Sequence, residues 1–152
     1  MTDPKTLFEA ALQMEIKANR FYADRALRVQ HPGTKVLLQE LADEEQGHID
    51  RFRAALVGEG LGAGGPLPAP VPDLKIGETL RDDIEITEDS EPGDVLVVAI
   101  KAEMTSIRVY GQWAEEHRGT GIEALLRAVI HEEMTHKYRL ETLYDDEYLA
   151  EN

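Results

Sequence analysis

The sequence repeats itself at a constant offset of 88 positions, and this internal repeat constrains the fold more than any other feature of the chain. Each copy contains a Glu seven residues before a Tyr, followed further along by the motif EExxH. The chain has 152 residues, close to the typical length of about 150 for one domain. We therefore expect the two copies to be halves of a single domain, residues 1–152. The matching pairs are Glu15 and Glu103, Tyr22 and Tyr110, Glu45 and Glu133, and His48 and His136.

Apolar residues recur at helical spacing in four stretches, which predicts an all-α fold of four long helices. Asp3 followed by Pro4 is typical of a helix start, and Pro92 opens the third stretch in the same way. Thr120 and Glu123 have the spacing of a capping box at the start of the fourth. The predicted helices span about 3–30, about 34–57, about 92–118 and about 120–149.

The segment of about 58–91 is rich in Gly and Pro and cannot form a long helix. It is long enough to return along the whole length of a helix, so the second and third helices are expected to run in the same direction. Two helical hairpins joined by such a crossover form the ferritin-like antiparallel four-helix bundle. Scattered apolar residues, such as Leu80 and Ile86, indicate that the crossover lies against the helices, with one short turn of its own.

Charged residues interrupt the apolar row of each predicted helix. On the second helix, Glu45 and His48 lie on the same row as the apolar residues, so they are expected to point into the core. Glu44 lies on a different row, and the row therefore selects Glu45 as the core residue. The equivalent core residues on the other three helices are Glu15, Glu103, Glu133 and His136.

The predicted interior thus holds four carboxylates and two imidazoles. Four buried carboxylates could not stay ionised together without a compensating cation, so a metal site is predicted. Six ligands exceed the needs of one tetrahedral ion, whereas two ions bridged by shared carboxylates would use them all. The chain has no cysteine, and carboxylate with imidazole favours iron, manganese or zinc. Tyr22 and Tyr110 are either core aromatics or hydrogen-bond donors to a ligand carboxylate.

These motifs resemble those of the ferritin-like di-iron carboxylate superfamily, and most of all those of rubrerythrin-type proteins. EIKANRFY and EMTSIRVY are similar to the first- and third-helix motifs, and EEQGH and EEMTH to those of the second and fourth helices. The resemblance implies two iron ions, or manganese or zinc in their place, with Glu45 and Glu133 bridging. The ligand set that it implies is Glu15, Glu45, His48, Glu103, Glu133 and His136.

Three departures from these families bear on the expected activity. Ser106 stands where rubrerythrins carry an additional Glu, and Gln46 stands where bacterioferritins carry a haem-binding Met. The chain also lacks the cysteines of a rubredoxin domain, so a separate electron donor is expected. The expected function is two-electron reduction of peroxide or dioxygen by a non-haem di-iron oxidoreductase. The alternatives are a ferroxidase or iron-handling protein, or a non-catalytic helical module stabilised by metal.

The charge balance limits the partners of the protein. Lys and Arg number 16 against 30 Asp and Glu, a formal net charge of −14. Because Lys and Arg supply the affinity for phosphate backbones and anionic lipids, neither nucleic acid nor a membrane is an expected partner. The N-terminal sequence MTDPKTLFEA does not resemble a signal peptide, so a cytoplasmic location is expected. Apolar residues in the crossover favour a homodimer or a higher homo-oligomer.

Overall fold

The computed structural model describes residues 1–61 and 67–149 and confirms an all-α four-helix bundle. No strand occurs in these two described ranges, and none of the helices is long and apolar enough to cross a membrane. A short 3-10 turn, Ile76–Thr79, lies in the crossover, and a five-residue π turn, Asp145–Leu149, follows the fourth helix. The helices are α1 (Pro4–Arg28), α2 (Pro32–Leu56), α3 (Pro92–Glu116) and α4 (Gly121–Tyr144).

Side chains cap three of the four helix starts. The Asp3 carboxylate accepts a hydrogen bond from the Thr6 amide at 3.2 Å, and the Thr120 hydroxyl caps α4. The Glu123 carboxylate accepts from the Gly119 amide at 3.0 Å and not from that of Thr120, so the expected capping box is only half formed. α2 begins before its predicted start because the His31 imidazole accepts from the Thr34 amide at 3.1 Å.

Two apolar clusters fill the bundle and leave a polar layer between them. α1 packs against α2 and α3 against α4, as two hairpins. Leu38 and Leu41 of α2 belong to one apolar cluster, and Phe52 and Ala55 belong to the other. The EExxH motif lies between these pairs on the same helix. The apolar clusters therefore position the charged residues in the middle of the bundle, away from its ends.

The crossover is fixed to the bundle by buried polar contacts. Glu141 of α4 is fully buried and accepts a hydrogen bond from the Gly77 amide at 2.7 Å. Its other oxygen accepts from Lys137 at 2.9 Å, and the Lys137 ammonium also donates to Asp73 at 2.7 Å. At the other end of the crossover, Arg25 donates to the Thr87 carbonyl at 2.9 Å. These contacts hold the crossover against the helices, as its apolar residues predict.

Candidate metal centre

The six core residues expected from the sequence come together in one cluster between the two apolar layers. None exposes more than 2% of its surface, although all six side chains are polar. α1 and α3 each supply one carboxylate, while α2 and α4 each supply a carboxylate and an imidazole one helical turn apart. The members of the cluster are Glu15, Glu45, His48, Glu103, Glu133 and His136.

The cluster divides into two overlapping groups of four residues. In each group, one ligand atom from every residue lies within 4.8 Å of all the others. Glu45 and Glu133 belong to both groups, while Glu15 with His48 and Glu103 with His136 complete one group each. This arrangement has the geometry of two adjacent cation sites that share two carboxylates.

Both imidazoles direct Nδ1 toward the carboxylates. His48 Nδ1 lies 3.2 Å from Glu133 Oε1 and 3.5 Å from Glu15 Oε2. His136 Nδ1 lies 2.9 Å from Glu45 Oε1 and 3.3 Å from Glu133 Oε1. The two rings stack with their centroids 5.8 Å apart. All four ligand-bearing helices thus contribute to one compact set of nitrogen and oxygen donors.

The atoms that face one another in the cluster are not satisfied by the protein itself. Buried oxygens of all four carboxylates and Nδ1 of both imidazoles make no hydrogen bond, despite their short contacts. Leaving a buried polar atom without a partner costs about 1–3 kcal/mol, and more when the group is charged. Cations bound among these atoms would satisfy them, so the residues present fit a site for two metal ions.

Burial and the close approach of like and opposite charges shift the pKa values of the cluster residues. Burial, together with the neighbouring Glu45, raises the pKa of Glu15 to about 8, and burial also raises that of Glu133 well above its usual range. Burial opposes the charge on His48 and His136, but the carboxylates around them outweigh it and raise both pKa values. Several groups therefore hold protons at neutral pH when no cation is bound.

Two tyrosines each hydrogen-bond one oxygen of a cluster carboxylate. The Tyr22 hydroxyl donates to Glu103 Oε1 at 2.6 Å, and the Tyr110 hydroxyl donates to Glu15 Oε1 at 2.8 Å. The second oxygen of each carboxylate makes no hydrogen bond and faces the cluster. Of the two roles left open for these tyrosines, the structure therefore favours hydrogen bonding to the carboxylates. Each bond also joins one hairpin to the other.

Two further carboxylates approach the outer nitrogens of the histidines. Glu132 Oε2 lies 3.1 Å from His48 Nε2, and Glu44 Oε2 lies 3.7 Å from His136 Nε2. Arg51 hydrogen-bonds Glu132, and Arg139 hydrogen-bonds Glu44 at 3.1 Å. A carboxylate on the outer nitrogen of a metal-binding imidazole orients the ring and raises its basicity.

Sequence reasoning missed the hydrogen bond between Glu132 and His48 and the approach of Glu44 to His136, whose Nε2 makes no hydrogen bond. Helical periodicity places Glu44 off the core row, whereas in the structure Glu44 Oε2 lies 3.7 Å from His136 Nε2 of the other hairpin. The duplicated EE of EExxH was the available signal, because both copies have a Glu at the first position of the motif as well as at the second. The remaining histidines lie elsewhere: His31 caps α2, while His117 and His131 contact the Thr2 and Ala69 carbonyls.

A family model matches part of the chain. No curated protein and no solved structure matches the chain significantly. The family model described as Rubrerythrin matches residues 2–56, the range that contains α1, α2, Glu15, Glu45 and His48. This match confirms, over the first helical hairpin, the resemblance of the chain to rubrerythrin-type proteins and agrees with the ferritin-like di-iron superfamily.

Proposed function

We propose that this protein is a non-haem di-iron oxidoreductase that reduces peroxide or dioxygen by two electrons. The observation that carries the proposal is the pair of four-residue ligand groups that share Glu45 and Glu133. The Rubrerythrin match over the first hairpin supports the same class of protein. Iron is the proposed metal, with manganese or zinc as the alternatives that the same donor atoms would accept.

The six cluster residues would hold the two ions, and bound iron would supply electrons together with Lewis acidity toward an oxygen substrate. The chain itself orients the donors. Tyr22 and Tyr110 each donate to one oxygen of a carboxylate, which holds Glu103 and Glu15 in place with their other oxygen free of hydrogen bonds. The apolar clusters on both sides bury the six side chains, and burial strengthens the charge interactions among them.

The proposed reaction needs electrons from outside the chain. The sequence contains no cysteine that could bind an iron-sulfur or rubredoxin-type centre, so a separate electron donor would reduce the iron pair after each turnover. A reducing compartment would supply such a donor, and we therefore propose a cytoplasmic location. Fractionation of the producing cells tests this location directly.

Iron handling is the second candidate function, and the acidic surface favours it. A net charge of −14 attracts cations and would raise the concentration of Fe(II) around the bundle. In this case the site would pass electrons from successive Fe(II) ions to peroxide or dioxygen and would release the ions as Fe(III). The two functions differ in the fate of the metal, which stays bound in the oxidoreductase and passes through the site in a ferroxidase.

Anaerobic loading with Fe(II), followed by stopped-flow mixing with peroxide or dioxygen, tests the proposal. We expect two tightly bound irons per chain and one rapid oxidation of that iron by one of the two oxidants. A Glu45→Ala variant should lose both ions, because Glu45 belongs to both groups. Saturation at one iron would contradict the di-iron centre. Repeated oxidation of added Fe(II), with release of Fe(III), would favour iron handling instead.

We also propose a homodimer. Several large apolar side chains remain exposed on the single chain, among them Leu27, Val36 and Leu74. Closed twofold dimers are the commonest way to cover such surface. The net negative charge opposes association, and salt screens it. Light scattering at low and high ionic strength should therefore give twice the mass of one chain, at least at high salt, and the mass of one chain under both conditions would contradict the dimer.

A further inference from the structure

A cleft between α1 and α3 leads from the surface to the metal cluster. Its volume is about 330 Å³, and its floor is formed by the buried side chains of Tyr22, Glu103 and Glu133. Its mouth lies at Lys17 and Thr105, which are exposed. The cleft is thus continuous from solvent to two carboxylates of the cluster, and neither histidine of the cluster lines it.

The internal repeat explains why this cleft exists. Ala18 and Ser106 are equivalent positions on α1 and α3, as are Met14 and Ala102, and all four line the cleft. Three of these four side chains are small. The helices pack mainly within their hairpins, so the small residues leave space between α1 and α3. The cleft is therefore a consequence of the sequence on both helices and not of one displaced side chain.

The lining specifies the chemical class of a ligand. Met14, Phe21 and Val98 give the walls an apolar character, which suits a hydrocarbon chain. The carboxylates at the floor repel an anion, and the Lys17 ammonium at the mouth repels a cation. A volume of about 330 Å³ lies at the lower end of the range of ligand pockets, about 300–1,000 Å³. The ligand should therefore be small, uncharged and largely apolar.

We propose that the cleft between α1 and α3 binds a small uncharged organic molecule whose apolar chain lies along the helices and whose inner end contacts Glu103 and Glu133. This binding site goes beyond the proposed reduction of peroxide or dioxygen, because it places an organic compound beside the same centre. The affinity comes from the cleft walls, so binding can be measured without any turnover of the metal centre.

Titration of the metal-free protein with 1-hexanol, hexanoate and hexylammonium, followed by ligand-observed NMR, tests the proposal. No metal ion is then present that could ligate the carboxylate of hexanoate or offset the charge of Glu103 and Glu133. We expect 1-hexanol to bind more tightly than either charged probe. Two substitutions on α3 should fill the cleft. Ala102→Met introduces the side chain found at the equivalent position of α1, Met14, and Ser106→Leu enlarges a second residue of the same wall. Both variants should weaken 1-hexanol binding by about tenfold or more.

Ala23→Met is the matched control, because Ala23 is an exposed alanine of α1 that does not line the cleft. It should leave 1-hexanol binding unchanged. The proposal is overturned if 1-hexanol does not bind, if a charged probe binds more tightly, or if both filling variants bind 1-hexanol as the wild type does. A dimer that covers the cleft and excludes the probe also overturns it. The metal-free protein contains no redox centre, so these outcomes depend on the cleft alone, whereas Fe(II) loading and oxidation test the proposed function separately.

Discussion

The outer carboxylates Glu132 and Glu44 give the two halves of the cluster different support. Glu132 Oε2 is 3.1 Å from the His48 imidazole, whereas Glu44 Oε2 is 3.7 Å from that of His136. A neutral amide is a weaker acceptor for an imidazole N–H than a carboxylate is. We therefore expect Glu132→Gln to weaken metal binding by about 10–100-fold and Glu44→Gln to weaken it less.

Glu40→Gln is the control for both variants, because Glu40 also hydrogen-bonds Arg139 but contacts neither histidine of the cluster. Competition with a chelator of known affinity measures the change. Equal affinities for Glu132→Gln and Glu40→Gln would show that Glu132 does not support the metal ligand His48.

Metal binding should release protons at neutral pH. In the metal-free cluster, burial and the neighbouring Glu45 raise the pKa of Glu15 to about 8. The surrounding carboxylates raise the pKa values of His48 and His136, although burial opposes this. These three groups hold protons at pH 7, and a bound cation displaces them. Addition of zinc in weak buffer with a pH indicator should therefore release more than one proton per chain. Release of none would contradict the assigned protonation.

The sequence predicts the inner residues of the site better than the outer ones. Glu45 and His48 could be assigned to the core because helical periodicity on α2 alone places them on the apolar row. The contact of Glu44 with His136 depends on how α2 faces α4, and periodicity within one helix contains no information about a neighbouring helix. The repeat could identify Glu44 as an equivalent of Glu132, but not the histidine that each would contact.

At the level of the elements, the crossover depends on close contact at Gly77. A methyl group on Gly77 would lie 2.5 Å from Met104 Sδ and 2.7 Å from Ile100 Cγ2, both on α3. Overpacking of this kind costs about 1–3 kcal/mol. Gly77→Ala should therefore lower the free energy of unfolding by this amount, as measured by urea denaturation.

Gly111 provides the comparison for this prediction, because a methyl group there would meet no atom within 4 Å. Gly111 lies inside α3, where alanine is more favourable than glycine by about 0.5–1 kcal/mol. Gly111→Ala should thus stabilise the protein. If Gly77→Ala proves as stable as the wild type, the crossover does not pack against α3 as closely as described.

The helix starts could be predicted from the sequence, whereas the path of the crossover could not. Asp3, Pro4 and Thr120 act on their own helix, so their capping role could be predicted from neighbouring residues. Lys137 and Glu141 have the spacing of an ordinary surface ion pair on a helix, and nothing in that spacing shows that they bind Asp73 and the Gly77 amide. Their burial depends on the crossover itself.

For the whole molecule, burying six ionisable side chains makes the stability of the fold depend on pH and on bound metal. A carboxyl group or imidazole whose folded pKa lies above its unfolded value stabilises the fold at low pH, and this contribution is lost as the pH rises. The pKa of Glu15 rises from 4.5 to about 8, mainly through burial. The pKa of His48 rises from 6.5, because the carboxylates around the ring outweigh burial. The metal-free protein should therefore lose stability as the pH rises from 4.5 to about 8, where Glu15 contributes, and His48 adds to this loss above pH 6.5.

Metal should reverse this loss, because a bound cation replaces the protons that the cluster gives up as the pH rises. A cation at about 1,000 times its dissociation constant stabilises the folded state by about 4 kcal/mol. Thermal melts with zinc or with chelator should thus show a gain in Tm that is larger at about pH 8 than at about pH 6. A chelator-treated protein that melts at a higher temperature at pH 8 than at pH 6 would contradict this linkage, since the charges of the cluster would then be compensated without a cation.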